Sequence, residues 1–219
     1  FYVFWELTLI PMFFLILKWG GKDRKYASQK FFIYTFTASV VMLLGLITLY
    51  FLQDPYSLAS SGTMTGRSFS IPELIDNARA NNIGDNWYLG AQMQKILFVM
   101  LMIGFLVKLP AVPFHTWLPD AHVQAPTGGS MLLAGVMLKM GAYGMFRLPI
   151  SLFPHALYHF QLALMIIGMI SLVWGAIVCL GQTNLKKMVA YSSVSHMGVI
   201  LIGIATMQPM GWAAALFMM

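Results

Sequence analysis

The chain has 219 residues, of which 59% are hydrophobic and only 9% are charged, and its mean hydropathy is +0.75. This composition excludes a soluble globular protein and indicates an integral membrane protein. The formal net charge of +6 does not indicate nucleic-acid binding, because the basic residues gather in short loops, as membrane orientation requires. The single cysteine, Cys179, excludes a disulfide framework and a cysteine-ligated iron–sulfur cluster.

Several apolar runs reach the roughly 20 residues that a bilayer-spanning helix needs, and their Met, Phe, Leu and Gly content favours helices over barrel strands. The sequence therefore predicts an all-α fold, a polytopic transmembrane helix bundle that forms a single domain over residues 1–219. We predict about seven spans and a long extramembrane loop at residues 53–92. In chain order the spans are 1–17, 31–52, 93–109 with a broken continuation to 125, 127–148, 160–180, 188–207 and the start of a seventh at 209–219.

Both ends of the chain fall inside apolar runs. It begins at Phe1 without a methionine and stops at Met219, which predicts a piece of a longer protein. We therefore expect further functional groups outside this sequence.

Two short loops carry an excess of positive charge. Residues 18–30 contain five basic residues against one acidic residue, and residues 181–187 contain Lys186 and Lys187. Alternation of the spans places both loops on one side of the membrane, which the positive-inside rule identifies as cytoplasmic. The 53–92 loop has no such excess and fits the opposite side. Within it, Ser70 and Glu73 form a capping-box pattern that predicts a short surface helix.

Two lysines lie inside apolar segments, where a charge is costly and marks a candidate functional site. Lys108 stands two residues before Pro110, with Pro113 close behind, so we expect its helix to lose backbone hydrogen bonds and to break there. Lys139 lies inside the run 131–145, which contains no other charge and is predicted to be an unbroken helix. An ionisable group beside a broken helix, with another in the next helix, is typical of transporters and proton pathways.

Glu6 and His196 are further ionisable groups inside predicted spans. A helical rise of about 1.5 Å per residue places Glu6, His196, Lys139 and Lys108 roughly 18, 14, 18 and 20 Å from a membrane surface. The hydrocarbon core is about 30 Å thick, so all four groups fall near its midplane and predict a continuous polar axis. The alternative is structural: Glu6 would bond indole or hydroxyl groups, Lys108 would donate to carbonyls freed by the break, and His196 would be a satisfied polar group.

The segment HTWLPDAH raises a metal-site alternative, because His115, Asp120 and His122 are ligand types. We reject this alternative, since this segment is interrupted by prolines and supplies no fourth ligand of suitable type. Helix capping by Asp120 and interfacial anchoring by Trp117 are the preferred interpretation. The sequence also lacks a glycine-rich dinucleotide motif, a P-loop and spaced cysteines, so we expect no metal and no cofactor on this chain.

Three motifs resemble one known family. They are FWELTLIPMF around Glu6, VKLPAVPFHTWLPDAHVQAPTGGSMLLAGVMLKMGAYGMFR around Lys108 and Lys139, and NLKKMVAYSSVSHMG around His196. These motifs resemble the antiporter-like M-type subunits of proton-translocating NADH:quinone oxidoreductase, respiratory complex I, and the wording LLAGVMLKMGAYG favours the M type. The sequence departs from this pattern at Asn184, where many relatives have Asp, and in the long 53–92 loop.

The resemblance implies that Glu6 and Lys108 form the glutamate–lysine pair of one half-channel, that Lys139 passes the proton on, and that His196 extends the axis. It implies other complex I membrane-arm subunits, the lipid bilayer and protons as partners, and no nucleic acid. The chain would belong to an enzyme without carrying a redox centre, since FMN, iron–sulfur clusters and quinone are expected in partner subunits. A bacterial inner membrane is the expected location, and an organelle membrane is the alternative.

Two other functions stay open on the sequence. A subunit of an Mrp-type sodium/proton antiporter would share the broken helix and would have no redox partners. A purely structural membrane-arm subunit would use the same charges only to hold its helices together.

Overall fold

The computed structural model describes residues 1–52, 57–58, 64–65, 68–80 and 90–219. Almost all of these residues are helical, so the predicted all-α class is confirmed. Two short strands, β1 (Ser57–Leu58) and β2 (Met64–Thr65), pair antiparallel. Most of the predicted 53–92 loop otherwise lies outside the described residues, apart from the helix predicted from the Ser70 and Glu73 pattern.

The helices follow one another with short connections, and several spans are built from consecutive short helices. A π-helical segment, Leu133–Met137, joins α7 to α8. In chain order the α-helices of the described residues are α1 (Tyr2–Leu7), α2 (Leu9–Trp19), α3 (Arg24–Leu52), α4 (Ile71–Ala80), α5 (Gly90–Lys108), α6 (Trp117–Gln124), α7 (Thr127–Leu132), α8 (Leu138–Arg147), α9 (Pro149–Leu152), α10 (Pro154–Leu180), α11 (Leu185–Ala205) and α12 (Pro209–Met218).

Five helical stretches in the described part of the chain are long and apolar enough to cross a membrane. Large apolar side chains such as Phe4, Leu162 and Phe217 are exposed on the outer faces of the bundle, where lipid would solvate them. The chain is therefore an integral membrane protein. The five stretches are Tyr2–Trp19, Arg24–Leu52, Thr127–Leu152, Pro154–Leu180 and Leu185–Ala205.

Some helices extend beyond the apolar runs that the sequence marks as spans. α3 begins at Arg24, so Lys30 lies on a helix and not in the basic loop. His155, between two predicted spans, lies in the first turn of α10. Pro149 and Pro154 begin α9 and α10, where the missing N–H of proline costs no helical hydrogen bond.

α10 and α11 approach closely because small residues face each other across their contact. A Cβ atom on Gly198 would lie 2.6 Å from the backbone nitrogen of Leu172, and one on Gly175 would lie 2.8 Å from that of Ser195. Small residues permit this backbone approach between membrane helices. Elsewhere, α3 packs against α2 and α5, α11 packs against α12, and α6 contacts both α3 and α11.

The buried side chains of α5 make it a central helix of the bundle. Leu97, Phe98, Leu101 and Phe105 are each at most 1% exposed. The end of α5, which carries Lys108, is therefore held inside the protein.

The close contact of α10 and α11 predicts a stability difference between two glycine variants. We expect Gly198→Ala to destabilise the full-length protein by roughly 1–3 kcal/mol, because the added methyl group overlaps the backbone of α10. Gly128→Ala is the matched control, since a Cβ atom there meets nothing within 4 Å. Thermal unfolding in detergent measures both variants, and equal transition temperatures would contradict the close approach.

Candidate functional site

The backbone between α5 and α6 leaves the regular helical pattern and finds replacement partners. The amide of Ala111 donates to the carbonyl of Leu106 at 3.1 Å, one residue before its regular helical acceptor, Val107. The Val107 carbonyl instead accepts a hydrogen bond from Nε1 of Trp117 at 2.9 Å. A break at membrane depth is tolerated where protein groups satisfy the backbone in this way.

The amide of Val112 depends on a different helix. It donates to the hydroxyl of Ser171 on α10 at 2.9 Å, and the same hydroxyl donates to the Ile167 carbonyl at 2.7 Å. One serine therefore replaces the acceptor that the break removed. The helix break predicted from Pro110 and Pro113 is confirmed, and the structure adds the partners that stabilise it.

Two predictions for the segment after the break are wrong. Trp117 is only 1% exposed and bonds the α5 backbone, so it is not an interfacial anchor. Asp120 is not the helix cap: the N-cap residue of α6 is Thr116, and Asp120 forms an ion pair with Lys30 of α3 at 2.6 Å. The physical reason is that α6 packs against α3 and α11, so its side chains meet other helices.

Glu6 and Lys108 come together where α1 meets the end of α5. Lys108 is 3% exposed, and its Nζ lies 4.7 Å from the centroid of the Trp5 ring, the residue next to Glu6. Oε1 of Glu6 and Nζ of Lys108 are both buried without a hydrogen-bond partner. Their charges interact electrostatically, but within the described residues only Lys30 and Asp120 form an ion pair shorter than 4.0 Å.

The surroundings of this pair are mainly aromatic. Trp5 packs edge-on against Phe105, with ring centroids 5.3 Å apart and an interplanar angle of 85°. Ser39 of α3 interacts with the side chain of Glu6 and contributes a hydroxyl group. A cation–π contact favours an ammonium group, whereas removal from water penalises both charges. Transfer of a proton away from Lys108 would change this balance, so the arrangement is suited to proton exchange.

Lys139 lies on the neighbouring transmembrane segment, directly after an irregular turn. The π-helical segment Leu133–Met137 interrupts the run that the sequence predicts to be unbroken, and such segments occur frequently at functional sites. α8 approaches α5 so closely that a Cβ atom on Gly141 would lie 2.9 Å from the backbone nitrogen of Leu109. Lys139 is half-buried on this adjoining helix.

His196 stands apart from the other three groups. It is exposed on α11, beside Ser193, whose hydroxyl bonds the Val189 carbonyl of its own helix. The structure thus brings Glu6 and Lys108 together and places Lys139 on the helix next to that of Lys108. It shows no hydrogen bond or ion pair from Lys139 or His196 to these groups among the described residues, so the continuous axis stays a prediction.

Two buried histidines belong to the environment of the break, and the sequence considered them only as metal ligands. Nδ1 of His115 is buried without a hydrogen-bond partner, and its ring centroid lies 6.3 Å from that of Tyr191. Nδ1 of His122 lies 2.5 Å from the hydroxyl of Ser130. Two histidines in an apolar segment are a sequence signal for a polar site. Their burial could not be predicted, because it depends on contacts between helices. No group of three His, Cys, Asp or Glu side chains in the described ranges could hold a metal ion.

All 219 residues match a transmembrane family described as NADH:quinone oxidoreductase/Mrp antiporter. The chain is 41% identical to NADH-quinone oxidoreductase subunit M of Rickettsia bellii and 44% identical to F(420)H(2) dehydrogenase subunit M of Methanosarcina mazei. These alignments cover 100% and 99% of this chain, but 40% and 41% of the relatives. The chain therefore spans about two fifths of the length of the curated relatives it matches.

Solved structures share the fold. A chain of respiratory complex I from Thermus thermophilus superposes with a TM-score of 0.81 at 28% identity, over 99% of this chain and 42% of that chain. A chain of the Mrp complex from Dietzia superposes with a TM-score of 0.79 at 20% identity, over 100% of this chain and 37% of that chain. The second likeness shows the fold alone.

The hydrogen bond between Val112 and Ser171 yields a prediction about stability. We expect Ser171→Ala to destabilise the full-length protein by about 1–3 kcal/mol, because the Val112 amide loses its acceptor while it stays buried. Ser192→Ala is the matched control, since that hydroxyl bonds only the Val189 carbonyl of its own helix. Thermal unfolding in detergent compares the two variants, and an equal loss in both would contradict the role of Ser171 at the break.

Proposed function

Because the chain belongs to the NADH:quinone oxidoreductase/Mrp antiporter transmembrane family, we propose that it is part of a proton-translocating membrane subunit of an NADH:quinone oxidoreductase. The observation that carries the proposal is that two atoms beside the helix break, Oε1 of Glu6 and Nζ of Lys108, are buried without a hydrogen-bond partner. Buried ionisable groups are costly in a membrane and mark ion and proton pathways. Similarity over the whole chain to proteins named NADH-quinone oxidoreductase subunit M supports the same activity.

In this mechanism Lys108 holds the proton that is moved. The Trp5 ring and the Glu6 carboxylate stabilise the ammonium form of Lys108 through a cation–π contact and an electrostatic attraction. Electron transfer in other subunits changes the local field and weakens the attraction of Glu6. The Nζ atom of Lys108 then releases one proton, which passes on toward Lys139 on the neighbouring helix.

His196 extends the route beyond Lys139 in this proposal. It is exposed on α11 in a transmembrane stretch, and an imidazole facing lipid is unfavourable. We propose that further protein covers this face and continues the pathway. The curated relatives are longer than this chain, which is consistent with such a cover.

The electron-transfer chemistry of the proposed complex lies outside this chain. We propose that FMN, iron–sulfur clusters and quinone bind to partner subunits. Other membrane-arm subunits are the direct partners of this chain in the proposal. Relatives from Rickettsia bellii and Rhodobacter capsulatus favour a bacterial inner membrane, whereas a chloroplastic relative from Atropa belladonna represents the organelle alternative.

The first test of the proposal replaces the proton-holding group. We expect Lys108→Met, in the full-length subunit of the assembled complex, to lower NADH-driven proton uptake by sealed vesicles by at least about tenfold. Lys95→Met is the matched control, because Lys95 lies on the same helix, 13 residues before Lys108, and is partly exposed. Unchanged proton uptake per electron in Lys108→Met would refute the proposal.

A second test separates proton transfer from a structural role of the carboxylate. We expect Glu6→Gln to lower both quinone reduction and proton uptake at equal subunit content, because the amide cannot attract the Lys108 ammonium as a carboxylate does. A loss of assembled complex with normal activity per complex would favour the structural alternative.

The family description also names Mrp antiporters, so the vesicle assay includes sodium. Sodium-dependent proton transport without attached quinone reductase activity would favour an antiporter subunit over the proposed oxidoreductase subunit.

A further inference from the structure

The half-helix α6 is anchored at its C-terminal end by two other elements. The amide of Gly21, in the loop before α3, donates to the Gln124 carbonyl at 2.9 Å. Nζ of Lys186, at the start of α11, lies 3.5 Å from the Val123 carbonyl and 3.4 Å from the Ala125 carbonyl. A cation near the last carbonyls of a helix is favourable. Because an isolated helix of eight residues is not stable by itself, such contacts determine where α6 lies.

An ion pair anchors the first turn of the same half-helix. Nζ of Lys30 on α3 lies 2.6 Å from Oδ2 of Asp120, and the two side chains are 25% and 35% exposed. The acidic group also suits the N-terminal end of a helix. Ion pairs with this much exposure add little to folding stability, so the contribution of this pair is to orientation.

A chain of contacts leads from this ion pair to the buried lysine. Trp117 is the first residue of α6, and its indole nitrogen donates to the carbonyl of Val107, the residue before Lys108. A shift of α6 would move Trp117 and release that carbonyl. The end of α5 would then lose one of the contacts that hold its last turn, and with it Lys108, in place.

We propose that Lys30 and Asp120 are positioning residues for proton transfer at Lys108, and that their ion pair does this by holding α6 against α3. The inference rests on the proposed function. Neither residue exchanges the transferred proton. The pair fixes the geometry of the break from its far side, through α6, Trp117 and the backbone of Val107.

Asp120 has an alternative role, as a proton-entry group, which predicts that Asp120 acts independently of Lys30. Asp120 lines a cavity of about 270 Å³, together with Asp23, Tyr26, Gln124 and Lys187. An aspartate at such a cavity would act alone, as an entry point for protons. In that case its effect would not depend on Lys30.

The test is a double-mutant cycle in the assembled complex, with proton uptake per electron measured in sealed vesicles at equal complex content. We expect Lys30→Gln and Asp120→Asn each to lower proton uptake per electron by roughly two- to fivefold. The double variant should lose no more than either single variant, because both break the same contact. Lys30→Arg should retain most of the activity, since a guanidinium also pairs with a carboxylate. A purely structural role would reduce the amount of complex without changing proton uptake per electron.

Lys25→Gln is the matched control, because Lys25 is an exposed lysine near the start of the same helix. The inference is overturned if Lys30→Gln leaves proton uptake unchanged, if the two single effects multiply, or if only Asp120→Asn has an effect. Lys108→Met in the same assay distinguishes a failure of the proposed function from a failure of the positioning role. If Lys108→Met has no effect, the proposed function fails; if it abolishes uptake while Lys30→Gln has none, only the positioning role fails.

Discussion

The structure depends on one constraint: a backbone amide or carbonyl inside a membrane protein needs a partner. Pro110 and Pro113 end α5 inside the bundle, and this would leave polar backbone groups unsatisfied. Trp117 supplies a donor to the Val107 carbonyl, and Ser171 supplies an acceptor to the Val112 amide. These two hydrogen bonds connect the break to α6 and to α10. The neighbouring helices α6 and α10 therefore hold the break in place.

The same region holds the most deeply buried lysine in the described part of the chain. Lys108 is buried at the end of α5, close to the Trp5 ring and without a hydrogen-bond partner. Glu6 is near enough for an electrostatic interaction but does not close an ion pair. The attraction between two separated charges depends on their distance, so a small movement would strengthen or weaken it. This property suits the proposed role of Lys108 as a group that gains and loses a proton.

The family match and the geometry of the site bear on different properties of the protein. The match over residues 1–219 establishes the family, which includes oxidoreductase and antiporter members with one fold. The fold alone does not choose between their functions, since function lies in the site. The chemistry of Glu6, Lys108 and Lys139 fits proton transfer in either class. In the proposed function, the partners that would couple this transfer to electron flow lie in other chains, so the experiments use the assembled complex.

The sequence by itself determined the membrane class, the helical fold and the position of the break, because apolar run length and proline act locally along the chain. It also singled out Lys108 and Glu6 as candidate residues, since a charge in an apolar run is conspicuous without any structure. Only the tertiary structure decided that Asp120 pairs with Lys30, that Trp117 is buried, that Lys139 follows a π-helical turn and that His196 is exposed. Each of these properties depends on which helix packs against the residue. Helix pairing is set by contacts between residues distant in sequence, such as Gly141 against Leu109, and no local sequence pattern encodes such contacts.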